Sequence, residues 1–84
     1  DNVRETYSLY EVGKAQIVSG QEEEGLATLE RVLDIVTESD GKDFDFIIEI
    51  ERKMATVLHK LGRDDEAKEI ERRVAAVAEI VEED

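Results

Sequence analysis

Eighty-four residues allow one small domain with a single core, and a chain of that size hides only roughly 60–65% of its unfolded surface, so stability must come from close packing or association. Charged residues make up 40% of the sequence, with 23 acids against 11 bases and a formal net charge of −12, a balance that works against nucleic acid and anionic membranes, whose binding relies on basic patches. Cysteine is absent, which removes disulfides and thiol chemistry and suits a reducing compartment such as the cytoplasm. No run approaches the ~20 apolar residues of a membrane span, and no signal-like apolar segment opens the chain. The opening Asp1 in place of a Met is what a piece of a longer protein would show. Both halves share the acidity: residues 1–42 hold 10 acids and 4 bases, residues 43–84 hold 13 and 7.

Proline is absent, and the glycines at 13, 20, 25, 41 and 62 are the main punctuation. Four helical segments are predicted between Gly20, Gly41 and Gly62. The first runs from Asn2 to about Ser19 and ends at Gly20, a glycine C-cap position. Its apolar residues read as two faces, Leu9, Val12 and Gly13 on one and Tyr7, Tyr10, Ile17 and Val18 on the other, as a helix with two partners would show. The second segment, Glu22 to Glu38, begins with three acids that suit the positive end of the helix dipole. "SDGKD" (39–43) is the predicted loop. The third, Phe44 to Leu61, alternates briefly like a strand at "FDFIIEI" but continues at helical spacing. The fourth starts near Asp64 and runs almost to the end, with Ala67, Ile70, Val74, Val77, Ala78 and Val81 on one arc and charges elsewhere. The fold class is all-α.

A shift of 42 residues lays Gly20 on Gly62 and brings the halves into register. Gly13 falls on Ala55, Val12 on Met54, Gly25 on Ala67, Val32 on Val74, and Glu22–Glu24 on Asp64–Glu66. Antiparallel helices come close only where side chains are small, so Gly13 is expected to face Gly25, and Ala55 to face Ala67. The glycine between each pair turns the chain, and the acids restart the next helix.

In these residues the sequence resembles the tetratricopeptide repeat family, whose motif has a small residue midway along its first helix, a glycine at the turn and a small residue early in its second. Gly13, Gly20 and Gly25 match it, as do Ala55, Gly62 and Ala67. The stretch from Val32 to Val74 looks like the 42-residue variant found in kinesin light chain, with its long loop before the next pair. The aromatic positions of the family are Leu9, Gln16, Glu51 and Leu58 here, acids replace the aromatic after each turn glycine, and no proline closes either repeat. The resemblance implies a single domain of two stacked hairpins (about 2–38 and 44–82, with a loop at 39–43). A compact four-helix bundle is the alternative.

The resemblance also implies a groove lined by the first helix of each pair. By position it would present Tyr7, Tyr10, Lys14 and Ile17 from the first segment and Glu49, Arg52, Thr56 and His59 from the third, with Lys60 at the edge. Tyrosines with an apolar body and a polar tip are common anchors at interfaces, and Lys14, Arg52, His59 and Lys60 would form a basic strip suited to an acidic or carboxylate-bearing peptide. The expected function is therefore protein binding. If the helices close into a bundle, Tyr7, Tyr10 and Ile17 are core instead, and self-association or assembly, as a homodimer or as part of a longer α-solenoid, is the other alternative. Lys14 and Thr56 stand where chaperone-binding members carry asparagines.

Residues for catalysis are not expected. His59 is the sole histidine, Ser8, Ser19 and Ser39 are scattered, and no Cys/His cluster suits zinc. A calcium loop with Gly41 at its sixth place would need acids where Val36 and Ile47 stand, leaving only an adventitious site at Asp40, Asp43 and Asp45. Gly20 and Gly25 lack the Lys-Ser/Thr of a phosphate loop. No cofactor, metal, nucleic acid or membrane partner is expected.

Overall fold

A computed structural model describes residues 2–39 and 43–81. It contains four helices, α1 (Asn2–Val18), α2 (Glu22–Glu38), α3 (Phe44–Lys60) and α4 (Asp64–Val81), and no strand among the described residues. "FDFIIEI" is the start of α3. The chain divides into two compact units, Asp1–Lys42 and Asp43–Asp84. In the first α1 packs on α2, and in the second α3 packs on α4. Asp40, Gly41 and Lys42 of the expected loop lie outside the described residues, as do the side chain of Val81 and residues 82–84.

The 42-residue repeat extends to individual backbone hydrogen bonds. At the end of α1 the N–H groups of Ser19, Gly20 and Gln21 donate to the carbonyls of Ala15, Ile17 and Gln16, at 3.0, 3.2 and 2.8 Å. Forty-two residues on, Leu61, Gly62 and Arg63 donate to Val57, His59 and Leu58, at 3.0, 3.0 and 2.8 Å. The crossed pair at each turn, from the glycine and from the residue after it, is the Schellman arrangement that satisfies the last carbonyls of a helix. It requires a left-handed residue, and Gly20 and Gly62 supply φ of 92° and 78°. The next helix then begins on an acid-rich turn, Glu22–Glu24 in α2 and Asp64–Glu66 in α4, where negative charge is favourable. Helix α3 has a side-chain cap instead: Asp43 accepts from the Phe46 N–H at 3.1 Å.

The first hairpin closes on its small residues. A methyl group on Gly25 would sit 2.5 Å from Ile17 Cγ1 and 2.8 Å from the Gly13 carbonyl oxygen, and one on Gly13 would sit 3.0 Å from Leu29 Cδ2. Gly13 therefore faces Gly25, with Leu29 and Val32 fully buried beside them. In the second hairpin Ala55 and Ala67, at the equivalent places, are both buried, with Met54, Val57, Leu58, Ile70 and Val74. Fully burying side chains of this size contributes about 1.5–3 kcal/mol each.

Two face assignments need correcting. The buried stripe of α1 is Thr6, Tyr10 and Gly13, with Ile17 one turn further on against Gly25. That is a single face at i, i+4, i+7 and i+11, whereas Val12 and Val18 are exposed. The broad buried arc belongs to α3, from Phe46 through Ile47, Ile48 and Ile50 to Leu58. Along α4 burial is complete at Ala67, Ile70 and Val74 and only partial at Val77 and Ala78.

Candidate functional site

The α1 residues expected in a binding groove separate. Tyr10 is 3% exposed and belongs to the core, so it is not a surface anchor. Ile17 lies against the backbone of Gly25, inside the hairpin, because the missing Cβ leaves a slot that only a neighbouring side chain can fill. Tyr7 is 46% exposed. Lys14 is half-buried: its ammonium stands 4.7 Å over the Tyr10 ring and 3.0 Å from Glu11 Oε2, a cation–π contact and an i,i+3 ion pair on its own helix. Lys14 thus places its ammonium over the face of the Tyr10 ring.

On α3, Glu49, Arg52 and Thr56 are all exposed and share a face by helical spacing. The Thr56 hydroxyl donates to the Arg52 carbonyl at 3.0 Å. Lys53, which sequence reasoning passed over, is exposed on the same side; its place four residues after Glu49 was the available signal. The side chains of Arg52 and Lys53 make no ion pair among the described residues, although the chain carries 23 acids.

His59 does not join that group. Its Nδ1 lies 2.6 Å from Asp64 Oδ1 and its Nε2 lies 3.2 Å from Glu71 Oε2, both on α4. The hydrogen bond to Asp64, then that to Glu71, raises its pKa above the usual 6.5. The two nitrogens point in opposite directions across the ring, so the three groups do not converge on one point. Among the described residues no three His, Asp or Glu side chains are arranged to hold a metal ion.

A second polar pair went unseen in the sequence. Glu51 is only 6% exposed, and its Oε2 stands 3.4 Å from Arg73 Nη2 on α4. Burial raises its pKa above the ordinary carboxylate value, and the Arg73 charge offsets part of that. Arg63 closes on Glu66 through two bonds of 2.6 and 2.8 Å, which lower the Glu66 pKa. No buried side-chain nitrogen or oxygen lacks a hydrogen-bond partner among the described residues. None of the described helices is long and apolar enough to cross a membrane. No family model matches the chain, and no curated protein or solved structure matches it.

Proposed function

We propose that this chain is a tetratricopeptide-like protein-binding module whose α3 outer face receives an acidic segment of another protein. The single observation behind this is the bare pair Arg52 and Lys53, two exposed cations without ion pairs among the described residues of a chain of net charge −12. A surface this acidic offers many carboxylates, so cations left uncovered on one helix face are matched by charge from outside. Thr56 lies on the same face and adds a hydroxyl. The chemistry is recognition rather than catalysis, without cofactor, and a cysteine-free chain of this kind suits the cytoplasm.

The test is fluorescence anisotropy with a labelled peptide of alternating glutamate and leucine at low salt. Reversing both cations, Arg52→Glu with Lys53→Glu, should weaken binding by about tenfold or more, and added salt should weaken the native complex. Binding unaffected by the reversal, or no binding of the native chain, overturns the proposal. A second reading, self-association, is favoured by the large apolar side chains left exposed, Val18 at 88% and Ile80 at 72%. Sedimentation equilibrium separates the two, since only self-association raises the mass of the unliganded chain with concentration.

A further inference from the structure

The two hairpins share a backbone register but differ in what they place across it. The shift of 42 residues lays Ile17 on His59 and Leu29 on Glu71. In the first hairpin those places are apolar: Leu29 is fully buried, and Ile17 lies on Gly25. In the second they hold an imidazole and a carboxylate 3.2 Å apart, with Asp64 at 2.6 Å on the other side of the ring.

Both ring nitrogens therefore face carboxylate oxygens, which only accept. A neutral imidazole has one N–H and one lone pair, so it satisfies one carboxylate and turns a lone pair toward the other. The imidazolium donates to both, and only it matches this geometry. The surrounding charges are mixed. Helix α4 presents Asp64 and Glu71, with Lys68 between them on the same stripe by helical spacing. On α3 helical spacing puts Thr56 and, a turn further back, Arg52 on the stripe of His59, with Lys60 next to it in the chain, and in the turn Arg63 is engaged by Glu66.

We propose that His59 is a proton-dependent tie between the C-terminal end of α3 and the first two turns of α4, holding both Asp64 and Glu71 when protonated and releasing Glu71 when the proton leaves. The shorter contact decides which partner stays: at 2.6 Å the Asp64 bond keeps the Nδ1–H, and at 3.2 Å the Glu71 side loses its donor. A histidine whose pKa is raised on folding adds stability that is fully present below the unfolded value near 6.5 and is lost as pH rises through the folded value. The tie thus loosens on the alkaline side of 6.5.

The sole histidine makes the test direct. Ring nitrogen signals followed by NMR from about pH 5 to about pH 9 should give a midpoint above 6.5 in the native chain and a lower one in both Asp64→Asn and Glu71→Gln. The neutral form should carry its proton on Nδ1 rather than on Nε2. Melting temperatures of the native chain and of His59→Gln should differ most in favour of the native chain below pH 6.5, and the difference should shrink as pH rises; taking the difference cancels the general effect of net charge and of Glu51. The double substitution His59→Ile with Glu71→Leu, which writes the first hairpin's pair into the second, should remove this pH dependence while preserving the helices. A midpoint at or below 6.5, a midpoint unmoved by either carboxylate change, a neutral Nε2–H form, or a melting difference that is independent of pH overturns the proposal.

Discussion

Tyr10 and Tyr7 sit three residues apart on α1 and differ in almost everything that matters for their use. Tyr10 is core, capped by the Lys14 ammonium, whereas nearly half of Tyr7 is open to solvent. Truncating a buried aromatic removes its transfer energy and leaves a cavity, so Tyr10→Ala should cost about 3–5 kcal/mol. Tyr7→Ala should cost about 1 kcal/mol at most, as half-exposed positions do. Urea denaturation followed by circular dichroism measures both; equal losses would mean that burial does not distinguish them. The sequence showed two tyrosines on an apolar side of a helix but not which one was enclosed. The clue was Gly13, since a small residue marks the closest approach, and the residues at i−7, i−3 and i+4 from it, Thr6, Tyr10 and Ile17, share its stripe. Sorting by hydrophobicity instead put Val12 and Val18 inside. Glu51 was illegible for a different reason: an acid at an interior position is only tolerable with a partner from another helix, and Arg73 is 22 residues away in sequence.

At the level of the helices, far more was legible. The predicted segments and the observed ones agree to within a residue at every described boundary set by Gly20 or Gly62, because a left-handed glycine and an acidic first turn are local devices that act through near neighbours. The facing of Gly13 and Gly25 was likewise readable, and it carries a prediction. Alanine is favoured over glycine inside a helix by about 1 kcal/mol, so Gly25→Ala would stabilise an isolated α2. In the hairpin its Cβ meets Ile17 Cγ1 and, at 2.8 Å, the Gly13 carbonyl oxygen, which belongs to a backbone and cannot swing aside. Overpacking costs about 1–3 kcal/mol and should win, so Gly25→Ala should lower the melting temperature. Gly13→Ala should do less harm, because its tightest neighbour is the end of the Leu29 side chain at 3.0 Å. The reverse order in a thermal melt would show that the helices are free to move apart.

Across the whole chain, charge is the dominant fact. The ion pairs among the described residues are mostly exposed, Lys14–Glu11, Arg72–Glu69 and Arg63–Glu66 among them, and such pairs contribute little each. Repulsion among the remaining acids acts on both units, so stability should rise as salt is added, screening more repulsion than attraction. A melting temperature that falls with sodium chloride would reverse that balance. Composition made this readable, but it could not say where bare cations lie. Arg52 and Lys53 stood out only once the ion pairs of the other cations had been placed and none was found on these two among the described residues.

Each helix pairs with the one next to it in the chain, α1 with α2 and α3 with α4, and both turns are made by glycine in a sequence without proline. The contacts that must form first are therefore close along the chain, and the loop entropy opposing them is small. Such topologies fold in about microseconds to milliseconds, and with no prolyl bond to isomerise there is no step on the scale of tens of seconds. Newly made or thermally disrupted chains thus recover their hairpins almost at once, and little time is left in which exposed helix faces can meet those of other chains.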